Sequence, residues 1–269
     1  MNWMSLFAKS ENISPEETRN LRDKYPPDSF QLLDVRQPKE YEQAHIPGAR
    51  LIPLGELPQR LDELDRDREI IVYCRSGVRS KSGYQILNSA GFSRVLNMTG
   101  GINGWQGHKA IGSEELGLDF FTSGDFSSAV SMALTMEMGL RRFYQLLADS
   151  ADDDSNRELL EYMARLEDGH MAKLKTLLPS TDDSVPDTSS VAEGGFNVTE
   201  FLATYGDQLK TIETILHTGM RFEAQAYDMY SRLATKEQHA DLREFYLQMA
   251  AEEQTHLKRL ARELDQRLG

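Results

Sequence analysis

The sequence predicts two domains of different class. An α/β domain with a parallel sheet occupies residues 1–110, a linker 111–125, and an all-α four-helix bundle 126–269. Three observations carry this expectation. Short apolar runs alternate with helical stretches before residue 110, whereas from Asp125 onward long helical periods follow one another without a strand signal. Charge changes at the same place: residues 1–110 hold 15 Lys/Arg and 14 Asp/Glu, the remainder 15 and 29. The second half also repeats itself on a shift of 86 residues.

In the first half, "FQLLDV" (30–35) and "EIIVYC" (69–74) are short apolar runs bounded by polar or turn residues, which predicts buried strands. "PKEYEQA" and "VRSKSGYQILNSAG" predict helices, the second stopped by Gly91. "SRVLNM" predicts a further strand and "GGINGW" a turn. Strand and helix in alternation imply a parallel sheet, whose ligand crevice lies at the carboxyl ends of its strands. Cys74, the single cysteine, falls at such an end just before a helix.

That placement sets its chemistry. Backbone N–H groups of a tight loop entering a helix converge on one concavity and favour an anion. Arg75 and Arg79 are expected to add positive charge, and Gly77 to let the backbone turn sharply. The setting predicts a thiol of lowered pKa.

Residues 28–106 resemble a rhodanese (sulfurtransferase) domain, on "LLDVRQPKEYEQAHIPGA", "VYCRSGVRS" and "TGGINGW" in the family's order. The resemblance implies that Cys74 accepts sulfane sulfur as a persulfide and passes it to a nucleophile. It also implies that the loop Arg75, Ser76, Gly77, Val78, Arg79 cradles the persulfide and an anionic donor, and that Asp34 and Arg36 support the site. His45, Pro47 and Gly48 are expected to be architectural. Cysteine phosphatases place five residues between Cys and Arg; here four separate Cys74 from Arg79, a narrower ring that suits sulfur better than phosphate.

Helical periods in the second half run through 126–149, 154–178, 207–235 and 237–267. Between the second and third lies "PSTDDSVPDTSSVAEGG" (179–195), which predicts a long crossover. The repeat superposes Glu137 on Glu223, Tyr144 on Tyr230, Met163 on Met249, Glu167 on Glu253 and His170 on His256. Spacing of three places Glu167 with His170, and Glu253 with His256, on one helix face that also carries apolar residues. Four carboxylates and two imidazoles aimed into one bundle are too costly to bury unless cations neutralise them.

One Glu from each of two helices plus Glu-x-x-His from each of the other two is the di-iron ligand set of ferritin-like proteins, here Glu137, Glu167, His170, Glu223, Glu253 and His256. Residues 126–267 resemble the rubrerythrin branch of that family through "MEMGLRRFYQLLA", "ARLEDGH", "FEAQAYDMYSRLA" and "AAEEQTH". The resemblance implies two iron ions meeting O2 or peroxide, with Tyr144 and Tyr230 either donors to the ligands or plain core; Mn or Zn would suit the same donors. Two departures stand out. Ala226 sits three residues after Glu223, where peroxide-reducing members carry a carboxylate, and the four cysteines of their rubredoxin site are missing, so electrons come from an external donor. His108, His217 and His239 have no counterpart in the repeat and are expected at the surface or in structural roles.

The expected function is therefore bifunctional: sulfur transfer through Cys74 from thiosulfate or a persulfide to a thiol, sulfide or cyanide acceptor, joined to an oxidase- or peroxidase-type di-iron centre. The alternative is an iron-binding protein that senses or relays persulfide without turnover. An acidic second half within a net charge of −13 argues against nucleic acid and anionic membranes. No apolar run approaches the ~18 residues of a membrane span. "MNWMSLFAKSEN" has neither the basic start nor the apolar core of a signal peptide. One cysteine excludes an internal disulfide and fits a reducing cytoplasm. Bundles of this family often form homodimers.

Overall fold

The structure is a computed structural model that describes residues 11–121, 126–178, 191–192 and 195–268. It divides into two compact units, broadly residues 1–114 and 115–269. The first is built on a parallel sheet of β1 (Asn12–Ile13), β2 (Phe30–Asp34), β3 (Ala49–Leu51), β4 (Glu69–Tyr73) and β5 (Val95–Met98), in the order β1-β5-β4-β2-β3. Leu32 pairs with Ile71, and Ile71 with Leu96, so the central strands are buried on both faces and read as unbroken apolar runs. Helices α1 (Pro15–Lys24), α2 (Pro38–Gln43) and α3 (Val78–Ser89) complete the layers.

Three elements here, β1, α1 and β3, go beyond the expected set. Helix α1 begins with a capping box, in which Ser14 Oγ accepts from Glu17 N at 3.1 Å while Ser14 N donates to Glu17 at 2.8 Å, and Pro15 opens the first turn. Strand β3 is only three residues long, too short for a periodic signal, and "GGINGW" is a 3-10 turn at Gly101–Gly104. Early linker residues belong structurally to this unit: Gly112 N donates to Glu42 O at 2.8 Å and Leu51 N to Glu114 Oε1 at 2.8 Å. Linker residues 122–125 and the amino-terminal ten lie outside the described residues.

The second unit holds four long helices: α4 (Phe126–Asp149), α5 (Asp154–Leu177), α7 (Ile212–Lys236) and α8 (Ala240–Leu268). Asp153 caps α5 by accepting from Asn156 N at 2.9 Å. Thr211 caps α7, so this helix starts five residues later than its apolar period suggests, after a 3-10 turn at Gly206–Gln208. Leu140, Phe143, Leu160, Met163, Leu216, Met220 and Leu260 form one buried core.

The expectation that no strand follows Asp125 is corrected. A two-stranded antiparallel pair, β6 (Val191–Ala192) and β7 (Phe196–Asn197), precedes a short helix α6 (Val198–Tyr205). Strands of two residues leave no period to read; what seats them is Gly139 of α4, where a Cβ would stand 2.2 Å from Val191 O. Most of the predicted crossover, residues 179–190 and 193–194, lies outside the described residues.

Candidate functional site

Cys74 follows the last residue of β4, and the chain turns through Gly77 (φ 93°) straight into α3. Glycine is required there twice over, since a Cβ would also stand 3.0 Å from Gly100 N. Behind the loop, Ile102 N donates to Cys74 O at 2.9 Å and Asn103 N to Arg75 O at 3.0 Å. Gly101 allows this approach, because a Cβ would meet Cys74 O at 2.3 Å. The "TGGING" segment thus anchors the outward carbonyls of the loop and leaves its N–H groups to face the sulfur.

Gly77 N donates to Cys74 Sγ at 3.2 Å, and the buried Ser80 hydroxyl lies 3.6 Å from the same atom. Burial pushes the thiol pKa up, but the Ser80 hydroxyl and the N–H groups of Ser80, Ser76 and Gly77 outweigh it, and the pKa lies below its ordinary value. Ser80 closes the "VYCRSGVRS" segment but is not among the residues expected to act there; its signal is its place in the first turn of the helix that the cysteine loop enters.

The electrostatics differ from the expected source. Arg79 makes a bidentate pair with Glu40 of α2, both N–O distances 2.7 Å, so its charge is matched by a carboxylate. Arg79 in turn holds the Glu40 carboxyl at about 2. Arg75 is exposed and has no ion pair among the described residues; neutral donors make the largest contributions to acidifying the thiol, and Arg79 adds a smaller coulombic attraction. Val78 is 74% exposed beside them. Asp34 and Arg36 are buried and bound to each other at 2.6–2.9 Å, with Arg36 also donating to Ala44 O at 2.8 Å. Their bonds join the end of β2 to the end of α2 and do not reach the sulfur. His45 is buried, stacks on Tyr41 at 3.6 Å and pairs its backbone with Ala110; Gly48 follows at φ 78°.

In the bundle, the six repeated residues come together from four helices. Glu137 (α4) with Glu167 and His170 (α5) forms one trio; Glu223 (α7) with Glu253 and His256 (α8) forms the other, and the ligand atoms of each trio lie within 4.8 Å of one another. His170 Nδ1 is 3.1 Å from Glu167 and 3.5 Å from Glu137; His256 Nδ1 is 3.0 Å from Glu253 and 3.2 Å from Glu223. The two imidazoles stack at 3.9 Å. Glu137, Glu167, Glu223 and Glu253 are 1%, 3%, 2% and 0% exposed. Burial pushes the Glu223 carboxyl up, but the neighbouring His256, with Glu253, brings it below the ordinary value.

Four buried carboxylates outnumber two imidazoles even when both rings are protonated. Oxygen and nitrogen donors in two such trios fit a pair of divalent transition-metal ions, and the surplus charge is what those ions would offset. Ala226 is fully buried, so the position three residues after Glu223 presents a methyl group in place of a carboxylate. Tyr144 and Tyr230 are buried in the core, with the Tyr144 hydroxyl 3.0 Å from the place of a Cβ on Gly219, one turn before Glu223. His217 and His239 are exposed beside Glu213 and Glu237, and His108 accepts from Trp105 Nε1 through its backbone oxygen.

A strand-end thiol in a ring of N–H donors and a carboxylate–imidazole pair of trios across four helices define a two-module protein: a sulfur-handling α/β domain and a ferritin-like metal bundle. The comparisons agree on both. The rubrerythrin family profile matches residues 129–264 and the rhodanese-like domain profile residues 14–108. The chain belongs to the rubrerythrin family and carries a rhodanese-like domain ahead of the bundle.

Among curated relatives, a sulfurtransferase of Allochromatium vinosum is 43% identical over 77 residues, 29% of this chain and 72% of that protein. A putative sulfur carrier protein of Bacillus subtilis, YrkF, is 44% identical over 104 residues, 39% of this chain and 50% of that protein; the chain spans half its length. A rhodanese-like domain protein of Staphylococcus aureus of known structure is 30% identical, with a TM-score of 0.36, and the match covers 38% of this chain and 99% of that one. No helix among the described residues is long and apolar enough to cross a membrane.

Proposed function

We propose that the chain transfers sulfane sulfur through a Cys74 persulfide and holds two iron ions on Glu137, Glu167, His170, Glu223, Glu253 and His256. The observation that carries the first part is the convergence of Gly77 N–H and the Ser80 hydroxyl on Cys74 Sγ. These donors stabilise the attacking thiolate and then the anionic persulfide. Cys74 Sγ attacks the outer sulfur of the donor; the new S–S bond forms as the old one breaks, and sulfite, or a thiolate, leaves with the electron pair. A thiol, sulfide or cyanide acceptor then attacks the outer sulfur, and Cys74 departs as thiolate.

The stacked trios support the second part. Iron bound there would supply the electron-transfer chemistry that reduction of O2 or peroxide requires, with reducing equivalents from an external donor. The carboxylates would hold the ions and balance their charge in a buried site, and His170 and His256 offer Nδ1 to their own trios. A single thiol fits a reducing cytoplasm, and persulfide is the substrate through which the two chemistries would be joined in one chain.

Incubation of the purified protein with a sulfane donor tests the transfer reading: a mass gain of ~32 Da on Cys74, absent in Cys74→Ser, is expected, and no adduct with any donor overturns it. Oxygen uptake measured with and without persulfide tests the coupling, which an unchanged rate removes.

A further inference from the structure

The cysteine loop has two arginines, and only one is available. Arg79 directs both terminal nitrogens at Glu40, each at 2.7 Å. Glu40 is fixed in turn from its own helix, where Gln37 N donates to its Oε2 at 3.2 Å in a capping box that begins α2. Arg36, the next guanidinium in this region, is bound to Asp34 and Ala44 O. With the thiol ionised, Cys74, Arg75, Arg79 and Glu40 together carry no net charge. Cys74 is 1% exposed, so a donor must present one sulfur atom end-on, while the exposed Val78 offers an apolar surface at the loop.

A loop so balanced attracts a dianion less than two unpaired arginines would, because Glu40 offsets the charge of Arg79. An organic persulfide, R–S–SH, brings at most one charge at its sulfurs and an apolar group for Val78. We infer that Glu40 is a specificity-determining residue that turns the Cys74 site toward organic persulfides and away from thiosulfate. The reaction balances without an added oxidant or reductant. Cys74 thiolate attacks the terminal sulfur of R–S–SH, a new S–S bond forms as the S–S bond of the donor breaks, R–S⁻ leaves with the electron pair, and the proton stays on the new Cys74 persulfide. The inference rests on the sulfur-transfer reading above.

Initial rates of persulfide loading, followed by mass spectrometry, test it with two probes, thiosulfate and 2-hydroxyethyl persulfide. Wild type is expected to favour the persulfide in kcat/KM. Glu40→Gln frees the Arg79 charge, and the ratio of kcat/KM for thiosulfate to that for the persulfide is expected to rise about tenfold, mainly through KM. Glu40→Asp keeps the charge and should keep the wild-type ratio. An unchanged or falling ratio in Glu40→Gln, or the same rise in Glu40→Asp, overturns the assignment. Wild type loaded by neither probe would instead overturn the sulfur-transfer reading beneath it.

Discussion

His170 and His256 stack face to face, with ring centroids 3.9 Å apart and planes 15° from parallel, although they come from opposite halves of the repeat. Each ring turns Nδ1 to the carboxylates of its own trio, so two ligand sets built by one duplicated pattern share a single centre. Imidazoles and carboxylates packed this closely are held by cations or by protons, and the two leave different signatures. If the trios hold metal, ions bound only by the folded state stabilise it by mass action.

The first prediction follows. The protein as purified should contain about two transition-metal ions per chain by elemental analysis. Removal with a chelator should lower Tm, with a loss of roughly 3 kcal/mol of stability per site at a hundredfold excess of metal over Kd. Glu253→Ala removes a fully buried ligand and should lower metal content while leaving Cys74 persulfide formation intact. A metal-free protein with the same Tm before and after chelation would rule the centre out.

Ser80 is the donor whose removal reads out most directly at the sulfur. Its hydroxyl and backbone N–H favour the thiolate against burial, which favours the thiol. Ser80→Ala loses one such bond, worth about 1 kcal/mol, so the thiol pKa rises and less thiolate is present at neutral pH. Alkylation of Cys74 by iodoacetamide at pH 7 should slow a few-fold, with the midpoint of its pH profile displaced upward. Equal profiles in the two proteins would assign the lowered pKa to the loop backbone alone.

How much of this could be read from residues alone depended on whether a feature repeats or stands in a motif. Glu167 and His170 announce themselves because Glu253 and His256 repeat the spacing, and Cys74 because a strand-like run ends on it. The Arg79–Glu40 pair is different. Thirty-nine residues separate the partners, and only the meeting of α2 with the start of α3 reveals that the arginine is already occupied. Ser80 is hidden for a similar reason, since a serine in a first helical turn is ordinary until its hydroxyl is found at the sulfur. Helix α1 did carry a local signal, "SPEE", with its cap, proline and acidic third position. Strands β6 and β7 carried none, being held by a close backbone approach rather than by side-chain period.

That approach gives a paired test on two glycines of the bundle. Gly139→Ala would force a Cβ to within 2.2 Å of Val191 O, a backbone atom that cannot swing aside. A loss of about 2–3 kcal/mol is expected, as the strand pair lifts from α4. Gly169 of α5, next to His170, has nothing within 4 Å of its Cβ position. Alanine there only improves helix propensity and should add about 0.5–1 kcal/mol. Chemical denaturation of both variants checks the pair; equal effects would mean that β6 does not seat on α4.

The Arg79–Glu40 pair also leaves a mark on stability, separable from its effect on donors. Its carboxyl titrates at about 2 against an ordinary value of 4.5. A depressed carboxylate pKa in the folded state stabilises above the unfolded value and loses that contribution as protons bind. The stabilisation is therefore complete above pH 4.5 and fades as pH falls toward 2. Both side chains are about one-third exposed, so solvent screening limits the pair to roughly 1 kcal/mol or less. Urea denaturation of wild type and Glu40→Gln should show a small gap at pH 6 that closes between pH 4.5 and 2. It should also narrow in high salt, as a partly exposed ion pair is screened. A gap that stays constant across that range would mean that Glu40 contributes through packing or its helix cap, and that Arg79 is not held by its charge.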